Sequence, residues 1–322
     1  MRLQGLETVR AGWDEIVTES MGQKIIETVI KSKPHLPHLE IPWIILGYET
    51  QDAIFSELGH LRTFIGAPPD RFRPEDHDEL FPNVSCRLNR LVLRSSVEPL
   101  YLNRLLSLSH HTLTALCFTI APGSSEFDLS SFTNLTLLRI CVEDRNPSRL
   151  FQHNDPSFTQ KSRNDLSRNL LNLLRSVQGS PLQTLALWGE NKRVGEAIAE
   201  LVVNEMALPQ SLIHFAGTLP FLSPNSSLVK AIRTKSLPRL QRVSILPDLG
   251  NNDSRGRAEH LERLFSEFHI RLHSLELAEE WLEVGGLLDP YLNESDTDED
   301  YVDEAVGLGW DRWNQYYYFD SD

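Results

Sequence analysis

Residues Ser180 to Asn191 read SPLQTLALWGEN. Leu185 and Leu187 stand two apart, so on a β-strand their side chains share one face, while Thr184, Ala186 and Trp188 take the other. Leu182, three residues earlier, leads into the strand from the preceding turn. The same apolar spacing returns in eight other segments: LPHLEI from Leu36, LRTFIG from Leu61, LNRLVL from Leu88, LTALCF from Leu113, LTLLRI from Leu135, LIHFAG from Leu212, LQRVSI from Leu240 and LHSLEL from Leu272. A weaker tenth, LQGLET, starts at Leu3. Successive starts from Leu36 are separated by 25, 27, 25, 22, 47, 30, 28 and 32 residues.

An L-x-x-L-x-L segment recurring at such intervals is the pattern of a leucine-rich repeat. One short strand cannot shield its own leucines, so the units must stack, each strand pairing in parallel with the next. The return path is helical where apolar residues recur three and four apart. Three stretches carry that period: Asn164–Val177, Arg193–Met206 and Arg257–Phe268. The predicted fold is therefore an α/β leucine-rich-repeat solenoid, a ribonuclease-inhibitor-like horseshoe with parallel concave strands and convex helices. Residues 1–35 are expected to form a helical cap or partial repeat, 36–285 the solenoid, and 286–322 an acidic, aromatic-ended tail. The 47-residue interval is either a double unit or an insertion.

Net charge is -14, and the eleven acidic residues between Asp289 and Asp322, set against Arg312 alone, supply -10 of it. A body near -4 offers no general footprint for nucleic acid, whose binding rests on clustered Lys and Arg, and it disfavours an anionic membrane. The N-terminal residues lack a basic start followed by an apolar run, and no eighteen apolar residues are contiguous. Cys86, Cys117 and Cys141 are too few and too odd in number for a disulfide framework. A cytoplasmic or nuclear protein is expected.

The irregular units, together with the phrases LRTFIGAPPDRF (61–72) and FTNLTLLRICVED (132–144), resemble the leucine-rich regions of F-box proteins, particularly the large sets of basidiomycete fungi. The resemblance covers about Leu36 to Trp281. It implies a substrate receptor, in which the repeats hold a target while an N-terminal F-box docks a ubiquitin-ligase adaptor. Here the nearest phrase to an F-box, LPHLEIPWIIL, is interrupted by Pro42, and the module itself is not detected. An adaptor is thus an expected partner only where an F-box lies upstream. The ninth position of each unit also lacks the Asn or Cys common in such repeats, so the turns must satisfy their backbone groups by other means.

No phosphate-cradling, zinc-protease, serine-esterase or C-x-x-C motif occurs, and His269 and His273 have no third ligand nearby in sequence. Neither catalytic residues nor a metal or other cofactor is expected, and the partner is expected to be a protein. The residues alternating with the core leucines point to the concave face, the usual contact surface of such arrays. Among them Arg90, Arg94, Arg139 and Trp188, with Arg242 further on, form the candidate patch, because arginine and tryptophan combine large contact area with directional bonding. In the tail, Trp310, Trp313 and Tyr317 stand in a dense aromatic run that suits either an end cap or a linear motif. Two other roles fit an acidic leucine-rich chain: activation of a GTPase, or histone binding by a nuclear phosphoprotein.

Overall fold

The structure, a computed structural model, describes residues 8–10, 19–41, 47–67, 83–120, 127–142, 168–189, 208–218, 227–246 and 262–274. The chain divides into two units, Met1–Gly285 and Gly286–Asp322, and all described residues belong to the first. The expected helix Arg193–Met206 and the tail residues Trp310, Trp313 and Tyr317 lie outside them.

The repeated segments form ten strands: β1 (Thr8–Arg10), β2 (His38–Ile41), β3 (Thr63–Gly66), β4 (Arg90–Ser96), β5 (Ala115–Ile120), β6 (Leu137–Val142), β7 (Thr184–Gly189), β8 (His214–Thr218), β9 (Arg242–Leu246) and β10 (Arg271–Ser274). They make one sheet in chain order, and every pairing is parallel. From β2 to β9 each strand starts at the third position of its segment. The fourth-position residues Leu39, Phe64, Leu91, Leu116, Leu138, Leu185, Phe215 and Val243 are register partners along the sheet and are all at most 1 % exposed. Each such burial contributes roughly 1.5–3 kcal/mol, which is why this row dictates the alignment.

Helices close the same face. Ile26 and Ile30 of α1 (Glu19–Ser32), Ile54 and Phe55 of α2 (Tyr48–Glu57), and Tyr101, Leu102 and Leu105 of α3 (Pro99–Leu105) join one core with the strand leucines. Pro99 occupies the start of α3, where its missing N–H costs nothing. Leu170, Leu173 and Leu174 from helical residues 168–176, Leu228 and Ile232 from the helix Ser227–Arg233, and Phe265 from helical residues 262–267 extend that core. Of the periodic stretches named from sequence, two thus appear as helices on the expected side. The short helices α2, α3 and Ser227–Arg233 were not visible in the periodicity, since seven to ten residues give it too few turns.

Three features depart from the sequence reading. The first concerns phase at both ends. Val9 pairs with Leu39 and Leu272 with Val243, so each holds the fourth position. The terminal segments therefore run from residue 6 and residue 269, three later than LQGLET and three earlier than LHSLEL. The second is the long interval: β6 pairs directly with β7 from Leu137↔Thr184 to Val142↔Gly189, so the two strands at its ends are neighbours in the sheet. The third is a register shift between Val92 and Ser96, after which Ser96, rather than Arg94, stands beside Thr119. Such a shift changes which residues of β4 stand beside β5.

The strand starts share one hydrogen-bonding device. The second-position carbonyl of each unit accepts two N–H groups from the next: Pro37 from Arg62 and Thr63, Arg62 from Asn89 and Arg90, Asn89 from Thr114 and Ala115, and so on to Ile213, which accepts from Gln241 and Arg242. Side-chain hydroxyls add to it, with Thr112 donating to the Leu88 carbonyl at 2.8 Å and Ser211 to the Leu182 carbonyl at 2.7 Å. Ser109 Oγ, fully buried, accepts the Leu88 N–H at 2.9 Å. These bonds supply what an asparagine ladder would otherwise provide.

Glycine at the sixth position has a packing cause in β3. A Cβ on Gly66 would stand 2.6 Å from the ring of Phe64, which fills the fourth position and folds across the sixth. The combination Phe-x-Gly recurs as Phe215 and Gly217 in β8.

Candidate binding face

The sheet face opposite the helices is built from the third, fifth and seventh positions. Along the third-position row run His38, Thr63, Arg90, Ala115, Leu137, Thr184, His214, Arg242 and Arg271. The fifth-position row holds Glu40, Ile65, Val92, Cys117, Arg139, Ala186, Ala216 and Ser244. Much of this second row is closed to solvent although it lies outside the main core, with Cys117 at 3 % and Ala186 at 1 % exposure. Ala186, Ala216 and Ser244 are too short to stand above their neighbours.

Arg139 is the exception in that row, half-buried between Cys117 on β5 and Ala186 on β7. Burial pulls its guanidinium below the usual arginine range, and the adjacent thiols Cys117 and Cys141 act the other way. Arg90 is also half-buried and sits diagonally across from Cys117, whose thiol feels both guanidiniums. Desolvation outweighs them and pushes Cys117 up to about 12, so it stays a neutral thiol. Trp188, half-buried, is the register partner of Cys141, one diagonal step from Arg139. The structure thus gathers Arg90, Arg139 and Trp188 across β4 to β7.

Arg94 lies in β4 within the shifted stretch, so its place relative to β5 is not the one the regular frame expects. Arg242 is exposed at the start of β9, two strands beyond Trp188. Polar pairs that the patch reading passed over occupy the same face. His38 Nε2 lies 3.7 Å from the Glu40 carboxylate, and His214 Nε2 is 2.8 Å from Ser244 Oγ. Both were legible from the third and fifth positions of their segments. Arg271 falls outside the segment that starts at Leu272 and enters this row only through its pairing with Arg242.

Among the described residues no cluster of His, Cys, Asp or Glu is arranged to hold a metal ion, and no helix is long and apolar enough to cross a membrane. No family model matches the chain, and no curated protein matches it significantly.

Proposed function

We propose that this chain is a non-enzymatic protein-interaction scaffold of the leucine-rich-repeat type, related in role to the substrate receptors of ubiquitin ligases, which captures a protein on the strand face opposite its helices. The observation that carries this reading is the placement of Arg90, Arg139 and Trp188 on one face within the four consecutive strands β4 to β7. An extended parallel sheet holds them with little freedom to move, so a partner meets a preorganised surface and the ordering cost of binding is reduced. Arginine can grip carboxylates or carbonyls through its fork while the indole supplies contact area. Catalysis is not part of the reading; the Cys117 thiol on this face is held protonated by burial.

The test is affinity capture from the source cell with the intact chain and with the triple variant Trp188→Ala, Arg90→Ala, Arg139→Ala. Loss of a specific partner from the triple variant, with its fold retained by circular dichroism, is the expected result. Full retention of every partner would refute the proposed surface. Co-purification of a ubiquitin-ligase adaptor would tie the scaffold to the receptor role.

A further inference from the structure

From Met206 to Pro247 the chain carries five basic residues, Lys230, Arg233, Lys235, Arg239 and Arg242, and no acid, within a protein of net charge -14. All five are exposed. Lys230 and Arg233 end a helix, where a cation complements the dipole, and need no other explanation. The remaining three do. Lys235 and Arg239 flank the turn that leads into β9, and Arg242 opens that strand. Across the sheet Arg242 is the register partner of Arg271, which opens β10 and is also exposed.

Parallel neighbours are about 4.8 Å apart, so two guanidiniums leave the same face side by side. Like charges directly opposite on adjacent strands destabilise the pair. Among the described residues neither arginine makes an ion pair that would offset this, and neither do Lys235 and Arg239. Glu262 and Glu267 flank Phe265, which packs into the core beneath the helical side of the sheet.

We infer that the starting edge of β9 and β10, with Arg239, Arg242, Arg271 and Lys235, is a docking site for an acidic, carboxylate-rich peptide segment of a partner protein. A carboxylate placed between the two forks accepts from both and relieves their repulsion, and bidentate arginine contacts fix its direction. A short acidic peptide senses mainly the local field, because charges beyond the screening length of about 8–10 Å count little. A nucleic-acid duplex or an anionic bilayer presents charge over a much longer span and meets the repulsion of the whole acidic chain. The site is separate from Arg90, Arg139 and Trp188 and does not depend on the role proposed for them.

The experiment is fluorescence anisotropy of a labelled oligoglutamate peptide against the full chain at low salt, with a DNA duplex and phosphatidylserine vesicles as competing probes. Peptide binding should fall as salt rises. It should weaken about tenfold in Arg242→Ser, Arg271→Ser, keep part of its strength in Arg242→Lys, Arg271→Lys, and be unchanged in Trp188→Ala. Binding unaffected by the serine pair, or duplex or vesicle binding tighter than that of the peptide, would overturn the assignment. Absence of peptide binding by the unmutated chain, alongside an intact partner capture through Trp188, would count against this site alone.

Discussion

The two faces of the same ten strands obey different rules. On the helical face the first and fourth positions are apolar in every unit from β2 to β9, and Leu88, Leu116, Leu138 and Leu185 are fully enclosed. On the opposite face consecutive strands offer Val92, Cys117, Arg139, Ala186, Ala216 and Ser244 at a single row. The contrast teaches that stacking constrains one face by shape, since a gap there is shared by two neighbouring units, whereas the other is free to vary residue by residue. Function is therefore sought on the face without a rule.

The largest expected effect breaks the constrained face. Leu138→Ala at the centre of the fourth-position row should destabilise the repeat unit by about 2–5 kcal/mol in chemical denaturation, whereas Arg242→Ala on the other face should stay within about 0.5 kcal/mol. Equal costs would erase the distinction between the faces. Next comes overpacking: Gly66→Ala should cost about 1–3 kcal/mol because Phe64 must move, and adding Phe64→Leu should recover part of that loss. Failure of the double variant to recover would mean that the ring is not what reserves the space. Removing the Ser109 hydroxyl leaves the Leu88 N–H unpaired in the core, and Ser109→Ala should cost about 1–3 kcal/mol.

A smaller effect sharpens the comparison through pH. Cys117 on the variable face is raised to about 12 and Cys86 to about 11 from the ordinary 9.0, both chiefly by burial. The unfolded thiols lose their protons first, so stability is intact below pH 9 and declines as pH rises through the window from 9.0 toward the folded values. By about pH 10 each thiol should account for roughly 1.4 kcal/mol of lost stability. Urea midpoints at alkaline pH should fall less steeply for Cys117→Ala than for the parent chain. An unchanged slope would show that burial does not control this thiol.

The smallest effect lies at the turns. Lys235 and His269 adopt φ of 55° and 58°. Each ends a helix through paired bonds: the N–H groups of Lys235 and Ser236 donate to Ile232 and Ala231, and those of His269 and Ile270 to Ser266 and Phe265. Glycine suits that conformation better than any residue with a Cβ. Lys235→Gly should therefore stabilise by up to about 1 kcal/mol, read as a rise in thermal midpoint.

Much of the fold was legible before any coordinates. Periodic apolar residues named the strands from β2 to β9 and their inward rows, because burial of alternate side chains is a local pattern with period two. Helical residues 168–176 and 262–267 were legible through the period of Leu170, Leu173 and Leu174 and through Leu264 and Phe265. Part of the candidate face was also readable: Arg90, Arg139 and Trp188 follow from counting along their segments. Arg271 did not follow, and neither did the displacement of Arg94 from its regular place.

The reason lies in the repeat itself. In L-x-x-L a shift of three residues carries one leucine onto the next, so the sequence alone determines that a strand is present, yet leaves its frame ambiguous by three residues. Only hydrogen bonding to the adjoining strand, a contact between residues some thirty apart, selects Val9 against Leu39 and Leu272 against Val243. The same long-range pairing decided that β6 and β7 are neighbours across the long interval and that β4 shifts between Val92 and Ser96. It also set Arg242 beside Arg271, a pairing that depends on the register of two strands and is therefore invisible in either one alone.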